Sequence, residues 1–434
     1  MIRRTTMADY VMRVIAGMYL AMIVLAIIAY KSAFIEVVRV DPIFGVYSVV
    51  VCTYILSRFF LSFVYKSGGE HGLEPTIAVV MPAFNEEDAI AQSVRSILAA
   101  DYPAEKLEVV VVNDGSTDGT LAHIHAVAAE SGGRVQVIDF PENRGKRAGM
   151  AAGIRATDAE MVAFVDSDSM LEPDALRILV QGFADKSVGA IAGHGNVLNV
   201  RESWITRMQA VRYYVAFRVV KAAESVFGTV TCASGCFSAY RREAIMPSLE
   251  AWENQHFLKR PATYGDDRAL TNYVLREWKV RYESRAISHT IVPASFPQFV
   301  RQQLRWKRSW TRESTIVARF VWRKNPLGSI ATYLGIALPL VAPIVACRSL
   351  LWQPIMATGA TPVVYLIGLY AMALIYGLYY AARHGRFDTL WVYGVLFVFF
   401  YLFFLLWQTY YAIVTSTNGS WGTRPSSTPA EASP

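Results

Sequence analysis

Cysteine is scarce in this sequence, and the spacing of the cysteines argues against both a disulfide framework and a structural zinc site. The 434 residues include four cysteines, of which Cys52 and Cys347 lie in apolar runs. Cys232 and Cys236 have a CxxxC spacing, but no second pair of cysteine or histidine completes a zinc site. The sequence therefore predicts neither a disulfide framework nor a structural metal.

Charged side chains are also few, at 18% of the residues, whereas hydrophobic residues make up 53% and the mean hydropathy is +0.28. This balance is too apolar for an ordinary soluble protein and too polar for a pure transporter. It indicates a soluble domain that interrupts a membrane protein. The formal charge of +7 fits anionic lipid headgroups, an anionic substrate or the usual excess of Lys and Arg on cytoplasmic loops. Composition leaves these three alternatives open.

Five long apolar runs predict membrane segments, because about twenty residues at helical rise cross a bilayer. These runs are Val11–Tyr30, Ile43–Tyr65, Leu327–Cys347, Pro362–Ala382 and Leu390–Val414. Basic residues flank the first two runs and, separately, the next two, so each pair is predicted to form a hairpin with both ends in the cytoplasm. The last run either crosses once, which would put residues 415–434 outside the cell, or bends back.

The segment from about Pro75 to Pro293 has a different character, with short β-branched runs alternating with helical patterns. Strands are predicted at Thr76–Met81, Glu108–Asn113, Val135–Asp139 and Met161–Val165, with helices at Asp88–Ala99 and Thr120–Glu130. This alternation predicts βαβ units and a parallel sheet. Ligands of such open sheets bind beyond the carboxyl ends of the strands.

Two further stretches, Trp204–Ser225 and Phe296–Phe320, mix Trp, Tyr and Phe with Arg and Lys. That pattern suits helices lying in a membrane interface. A helix of the soluble domain with a solvated basic face has a similar pattern, and amphipathic character alone does not separate the two.

Asp114 follows a predicted strand in the motif VVNDGSTDGT. A carboxylate at this position can accept a hydrogen bond from the N–H of a uracil ring, while Ser116 and Thr117 are expected to cap the next helix. An ordinary turn with a capping Asp is the alternative interpretation.

Asp166 and Asp168 follow the apolar strand Met161–Val165 and flank a single serine. Two carboxylates at a strand end can bind a hard divalent cation, either Mg²⁺ or Mn²⁺. A nucleotide sugar requires such a cation to neutralise its departing diphosphate. The pair therefore predicts a metal-assisted nucleotide-sugar site.

Asp267 lies in the motif Gly-Asp-Asp-Arg at the start of a predicted helix that runs to Arg276. An inverting sugar transfer needs one carboxylate to take the proton of the acceptor hydroxyl, and Asp267 is the candidate for this base. An Asp pair that only caps the helix is the alternative.

The motif QQLRW lies in the second amphipathic stretch. Arg305 offers a planar guanidinium to the departing diphosphate, and Trp306 offers an aromatic face to a sugar ring. Gln302 and Trp306 are four residues apart and share one face of a helix. In ENRGKR, Lys146 is predicted to bind phosphate and Arg147 to be solvated.

The series PAFNEED, VVNDGSTDGT, ENRGKR, FVDSDS, GDDRALTNY and QQLRW resembles the processive family-2 glycosyltransferases, which include hyaluronan, chitin and cellulose synthases. The resemblance covers roughly residues 61–424. It implies an α/β GT-A glycosyltransferase domain inserted in an α-helical transmembrane domain with amphipathic interfacial helices. It also implies UDP-sugar donors, a divalent metal (Mg²⁺ or Mn²⁺), inversion to a β-linkage and export of the polymer through the enzyme.

The resemblance also assigns roles to individual residues. Donor-binding positions are Ala83, Asn85, Glu86, Asp114, Lys146 and Asp166; metal-binding positions are Asp166 and Asp168; the catalytic positions are Asp267, Gln302, Arg305 and Trp306; the acceptor positions are Cys232, Ser234, Gly235 and again Trp306. Trp421 and Arg424, in Trp-Gly-Thr-Arg, resemble a gating loop that closes over bound UDP. Since that loop must be cytoplasmic, we predict that Leu390–Val414 does not simply cross once.

Finer features resemble the hyaluronan synthases, namely GHGNVLNVRES, the GDDR form of the base motif and the gating loop. Cys236 stands where those enzymes usually have proline, and the chito-oligosaccharide synthases have a cysteine-rich version of this loop. The resemblance therefore implies either polymerisation of UDP-GlcNAc with UDP-GlcA or a chitin-type product from UDP-GlcNAc alone. A transport scaffold with an inactive domain and a non-processive lipid glycosyltransferase are weaker alternatives.

The expected organisation has five parts. They are an N-terminal transmembrane hairpin (1–66), a cytoplasmic catalytic domain (67–295, with 204–225 as an interfacial helix), the helix with QxxRW (296–325), C-terminal membrane segments (326–414), and the gating loop and tail (415–434). The expected location is the plasma membrane, with several passes. Expected partners are UDP-GlcNAc, UDP-GlcA, nascent polysaccharide and membrane lipids, and no nucleic acid.

Overall fold

The computed structural model describes residues 41–356, 361–384 and 389–419, together with positions 14, 17, 18, 21 and 25. The first predicted apolar run, apart from those isolated positions, and the Trp421–Arg424 segment lie outside the described residues.

An eight-stranded mixed sheet forms the centre of the α/β part. Its strands are β1 (Ile77–Ala83), β2 (Leu107–Asp114), β3 (Val135–Phe140), β4 (Met161–Phe164), β5 (Ser169–Leu171), β6 (Val188–Val197), β7 (Ser238–Arg241) and β10 (Lys279–Thr290), in the order β3-β2-β1-β4-β7-β6-β10-β5. A small antiparallel pair lies outside it, formed by β8 (His256–Phe257) and β9 (Arg260–Pro261).

The helices of the α/β part connect and cover these strands. They are α2 (Ile90–Leu98), α3 (Thr120–Glu130), α4 (Lys146–Arg155), α5 (Ala175–Gln181), α6 (Trp204–Val215), α7 (Ala222–Val226), α8 (Arg242–Ile245), α9 (Leu249–Glu253), α10 (Asp266–Leu275) and α11 (Phe296–Val317). A π-helical turn, Ala216–Lys221, joins α6 to α7.

The predicted parallel sheet is only partly correct. Strands β1 to β4 are mutually parallel as expected. Ile77 of β1 is paired with Met161 of β4, and Val109 of β2 is paired with Val135 of β3. Strand β7, however, lies antiparallel between β4 and β6, and β5 lies antiparallel to β10. The difference arises because β7 and β5 return from loops at the carboxyl edge rather than from crossover helices.

Both faces of the sheet are buried, which explains why its strands read as continuous apolar runs. Val80, Val110 and Val162 belong to one core cluster, whereas the alternate residues Val79 and Val109 belong to the other. Since neighbouring side chains on a strand point to opposite faces, this alternation fixes the register. The carboxyl edge of the sheet is therefore packed from both sides.

A second, helical part contains α1 (Pro42–Val64), α12 (Pro326–Cys347), α13 (Gln353–Met356), α14 (Thr361–His384), α15 (Leu390–Phe400) and α16 (Gln408–Val414). Among the described residues, three helices are long and apolar enough to cross a bilayer: Pro42–Val64, Pro326–Met356 and Pro362–Arg383.

The last apolar run is broken rather than continuous. A π-helical turn at Tyr401–Leu405 precedes a bend of 46° between Leu390–Leu405 and Gln408–Val414. Beyond the bend, the Asn418 carbonyl accepts a hydrogen bond from the Tyr264 hydroxyl at 2.6 Å. Asn418 and Gly419 therefore lie against the α/β part.

The two amphipathic stretches connect the sheet with the helical part. Helix α6 packs Val211 and Val215 into a cluster with Tyr379 of α14, and Met208 against Phe299 of α11 and Phe400 of α15. This packing fixes helix α11, which bears QxxRW, between the sheet and the apolar helices.

Candidate active site

One cavity of about 980 Å³ joins the carboxyl edge of the sheet to the apolar helices. It begins at Pro82 and Asp166 and extends to Pro339 and Tyr401. Predicted site residues that line it are Asn85, Glu86, Lys146, Asp166, Asp168, Cys232, Ser234, Gly235, Asp267, Gln302, Arg305 and Trp306. Residues from motifs that lie far apart in the chain are thus brought into one space.

Two predicted donor residues do not line this cavity. Ala83 and Asp114 are each 1% exposed and lie behind its wall. The Asp114 carboxylate accepts hydrogen bonds from the backbone N–H groups of Arg144, at 2.7 Å, and Gly145. In this arrangement Asp114 ties the end of β2 to the loop before Lys146. The remaining two, Trp421 and Arg424, lie outside the described residues.

The predicted capping role of Ser116 and Thr117 is wrong. The helix begins at Thr120, and the side chain of Asp118 accepts its backbone N–H at 3.0 Å. Ser116 and Thr117 instead bind Asn85, whose Oδ1 accepts the Thr117 N–H at 2.8 Å. Sequence patterns do not distinguish a local cap from a contact with a neighbouring loop, since both use short polar side chains.

Asp166 and Asp168 face the cavity in different environments. The Lys146 ammonium forms a salt bridge with Asp166. Burial alone would lower the pKa of Lys146, but the Asp166 carboxylate outweighs it and the net shift is upward. Burial, followed by the charge of Asp166, raises the pKa of Asp168 to about 6. Two carboxyl groups therefore share one ammonium, which leaves the pair short of positive charge.

These residues fit a divalent cation that a substrate helps to bind. Within the described ranges, no cluster of three or more His, Cys, Asp or Glu side chains forms a metal cage. Mg²⁺ sites in proteins typically use one or two carboxylates, with substrate phosphates and water completing the shell. Asp166 and Asp168 supply that number of carboxylates beside an open cavity.

Asp267 and the Asp166–Lys146 pair both lie next to Gly235. The Gly235 N–H is 3.4 Å from Asp267 Oδ2, and a Cβ at this position would lie 2.9 Å from Asp166 Oδ1. No side chain fits between them, so the glycine allows the two carboxylates to approach one another. Asp267 Oδ1 accepts the Arg268 N–H at 2.8 Å, while Oδ2 lies 3.4 Å from Cys232 Sγ.

The predicted solvated role of Arg147 is wrong. Arg147 is 5% exposed, and its Nε donates to Asp266 Oδ1 at 2.7 Å. Its Nη1 donates to the Trp252 carbonyl and to Gln255. The two members of the Asp pair therefore differ, because Asp266 is buried in an ion pair with Arg147 whereas Asp267 is only half-buried. The run of charged residues in ENRGKR does not reveal which side chain is buried in the protein and which is solvated.

Gln302, Arg305 and Trp306 all line the cavity from helix α11. The Trp306 ring lies 6.3 Å from the Tyr213 ring and 5.5 Å from the Arg212 guanidinium carbon. One side of the helix thus presents an amide, a guanidinium and an aromatic face to the same space.

Sequence reasoning missed Lys221, which is hydrogen-bonded to the Cys232–Gly235 loop. Its ammonium donates to the Cys232 carbonyl and to Ser234 Oγ, the latter at 2.6 Å. Lys221 ends the π-helical turn, and such turns often occur at functional sites. The only signal in the sequence was the basic character of Trp204–Ser225.

Comparison with known proteins identifies relatives that match most of the chain. Residues 75–309 match the family model described as "Glycosyltransferase like family 2". The hyaluronan synthase of Streptococcus pyogenes serotype M3 is 34% identical over 389 residues, covering 88% of this chain and 90% of the relative. An N-acetylglucosaminyltransferase of Azorhizobium caulinodans is 33% identical over 306 residues, covering 70% and 76%.

A solved structure shows the same fold. The mannosyltransferase PcManGT from Pyrobaculum calidifontis, in complex with GDP-Man and Mn²⁺, aligns with a TM-score of 0.57 at 20% identity, covering 83% of this chain and 98% of that one. The sheet and its surrounding helices are therefore GT-A-like.

Proposed function

The chain belongs to the family-2 glycosyltransferases, and from that membership we propose that it synthesises hyaluronan, adding N-acetylglucosamine and glucuronate alternately from UDP-GlcNAc and UDP-GlcA. The observation that carries this proposal is the convergence of Asp166, Lys146 and Asp267 around Gly235 in one cavity. That convergence supports a donor site at Asp166 and Lys146 with Asp267 beside it as the base. The similarity to a hyaluronan synthase over 88% of the chain supports the choice of polymer.

The proposed reaction inverts the anomeric carbon in one displacement. The acceptor hydroxyl oxygen attacks that carbon, the bond from the carbon to the diphosphate oxygen breaks, and UDP leaves with the electron pair. Asp267 takes the hydroxyl proton. Arg305 and Lys146 bind the departing diphosphate, on which negative charge builds. Trp306 supports the acceptor sugar, and the Cys232–Gly235 loop holds it near the donor.

Asp166 and Asp168 would hold a divalent cation, Mg²⁺ or Mn²⁺. When bound, this cation neutralises the diphosphate and makes it a better leaving group. This assignment is supported by the presence of two neighbouring carboxyl groups with only the Lys146 ammonium between them. The donor-binding roles of Ala83, Asn85, Glu86 and Asp114, and those of Trp421 and Arg424, belong to the same proposal.

We also propose that the apolar helices span the plasma membrane, with the α/β part in the cytoplasm and the domain boundaries given above. Support comes from three helices of sufficient length and from a cavity that reaches Pro339 and Tyr401. The bend in the last run and the contact between Tyr264 and Asn418 support a re-entrant segment, which keeps residues 415–419 on the cytoplasmic side.

A chitin-type polymer made from UDP-GlcNAc alone is the second candidate. Cys236 in the acceptor loop favours it, as does the similarity to N-acetylglucosaminyltransferases. The two candidates differ in the acceptor sugar rather than in the transfer chemistry, so they predict different donor requirements.

The deciding experiment incubates membranes containing the full chain with UDP-GlcNAc, with UDP-GlcA and with both, in the presence of Mg²⁺ or Mn²⁺. We expect a long polymer only with both donors and its complete digestion by hyaluronidase. A polymer from UDP-GlcNAc alone would exclude hyaluronan and favour the chitin-type product. No UDP release under any condition would exclude both.

A further inference from the structure

Arg212 enters the cavity at the level of Trp306 without an acidic partner among the described residues. It lies on α6, with its guanidinium carbon 5.5 Å from the Trp306 ring centre and 5.4 Å from that of Phe397. It lines the cavity, and its Nη1 atom is buried and has no hydrogen-bond partner in the described chain. A buried guanidinium donor without an acceptor is costly unless a ligand supplies the acceptor.

A second cation, Lys307, lies close to Arg212 in the same cavity. Burial, followed by the positive charge of Arg212, lowers the pKa of Lys307 to about 7. The Lys307 ammonium donates to two neutral acceptors, the Leu405 carbonyl and, at 2.9 Å, Thr409 Oγ1. The described residues form no salt bridge with either cation.

Burial penalises the charged form of both groups, and a protonated Lys307 is further disfavoured by the neighbouring charge of Arg212. The rings of Trp306 and Phe397 give the Arg212 guanidinium cation–π contacts, but they carry no formal negative charge and accept no hydrogen bond from Nη1. The charged and titratable neighbours of Arg212 include the hydroxyls of Tyr213 and Tyr401, together with Lys307. An anionic ligand would relieve the repulsion and satisfy the free Nη1 donor.

The position of this cationic pair identifies the class of anion. The diphosphate of the donor already has Lys146 and the carboxylate-held cation at the sheet end of the cavity. Arg212 instead lies against Trp306, whose face suits a sugar ring. Lys307 lies on the side of the apolar helices, where its ammonium donates a hydrogen bond to the Leu405 carbonyl. A sugar that stacks on Trp306 and carries a carboxylate would bring that anion to the guanidinium.

We propose that Arg212, assisted by Lys307, binds the carboxylate of a uronate residue in the acceptor chain as that chain passes Trp306. This inference rests on the proposed function, since a chitin-type polymer has no carboxylate. It assigns the recognition of the acidic sugar to a residue outside the family-2 motifs. The guanidinium can bind a carboxylate through two parallel hydrogen bonds, which an ammonium cannot do.

The test measures how tightly the purified full-length enzyme binds a hyaluronan tetrasaccharide, its carboxyl-reduced neutral form and chitotetraose. We expect the wild type to bind the acidic tetrasaccharide about 10-fold more tightly than the reduced form, as for one charge-assisted contact. Arg212→Gln should lose this preference, with less than about a twofold change for chitotetraose. Arg212→Lys should keep part of it.

Arg207→Gln is the matched control. Arg207 lies on the same helix and also stacks on an aromatic ring, Tyr393, but it does not line the cavity. Its variant should bind all three saccharides as the wild type does.

Three results would overturn the inference. They are equal affinity of the wild type for the acidic and reduced tetrasaccharides, equal losses for all saccharides in Arg212→Gln, and weaker UDP binding in that variant, which would place the guanidinium on the diphosphate. The first comparison needs no variant, so it decides the matter even where Arg212→Gln does not fold. The two-donor incubation tests the proposed function separately.

Discussion

The two ends of the cavity have opposite charge. At the sheet end, Asp166, Asp168 and Asp267 face the space with Lys146 among them. At the end near the apolar helices, Arg212 and Lys307 lie around aromatic rings without a carboxylate partner among the described residues. In the proposals made above, the first end receives a cation and the second receives an anion.

This difference shows how one cavity can separate two tasks. Burial makes each uncompensated charge expensive, so each end is most stable when its ligand is bound. In the proposed function, the sheet end binds the nucleotide with its cation and the other end receives an acidic polymer. Predictions that alter one end and leave the other unchanged test this division.

The largest effect is expected for Asp267→Asn at the sheet end. The amide cannot accept the proton of the acceptor hydroxyl, so transfer should fall by about 10²–10⁴-fold, the usual contribution of general base catalysis. UDP affinity should change by less than about twofold, because the Asn side chain has nearly the same shape and lies outside the donor-binding pair. Rates of UDP release and calorimetric UDP binding measure the two quantities. Equal loss of both would contradict the role as a base.

A smaller effect is expected for Asp168→Asn. Removing one of two carboxylates should weaken metal-dependent donor binding, with transfer reduced on the order of 10²-fold, as when one electrostatic contact to the reacting group is lost. Titrating Mg²⁺ and Mn²⁺ at fixed donor concentration measures the change, and chelation with EDTA should stop the wild type. An unchanged metal requirement would show that Asp168 is not a ligand.

The smallest effect concerns stability at the other end. Because the pKa of Lys307 is about 7 in the folded protein and about 10.4 in an unfolded chain, the unfolded state binds the extra proton between these values. The stability of the wild type should therefore rise with pH across this window relative to Lys307→Met, which cannot titrate. Thermal unfolding at about pH 7 and about pH 9.5 should show a difference of a few degrees in Tm between the two proteins.

Lys307→Arg serves as the control for this effect. Arginine remains protonated in both states over the window, so its variant should resemble Lys307→Met in pH dependence. A wild-type curve parallel to both variants would show that Lys307 is protonated normally and that the two cations do not repel one another.

Much of the fold was predictable, because hydrophobic patterns report burial directly. The helix Thr120–Glu130 has the predicted bounds, β2 extends one residue beyond the prediction at each end, and β3 extends one residue beyond it at its carboxyl end. Membership of family 2 was likewise predicted from six short motifs and is confirmed by the comparisons. The antiparallel strand β7 was not predicted, since its direction depends on a loop that carries no periodic signal.

Local patterns were less informative about the partners of polar side chains. Ser116 and Thr117 bind Asn85 rather than capping a helix, and Arg147 binds Asp266 rather than water. Arg212 and Lys307 look like ordinary basic residues of amphipathic helices. Hydrogen-bond partners from distant segments have no periodicity, so a single sequence does not reveal them.

The sequence by itself determined the chemistry available to this protein. The order of residues along the chain fixes which chemical groups are present and how they are spaced. These groups include the strand-end carboxylates, the Gly-Asp-Asp-Arg and Gln-x-x-Arg-Trp motifs and the apolar runs. Only the tertiary structure decided which carboxylates share a cavity, which member of the Asp pair is buried, and that two cations meet without a counterion among the described residues. The physical reason is that charge interactions depend on distance and burial, and folding sets both between residues that lie far apart in the chain.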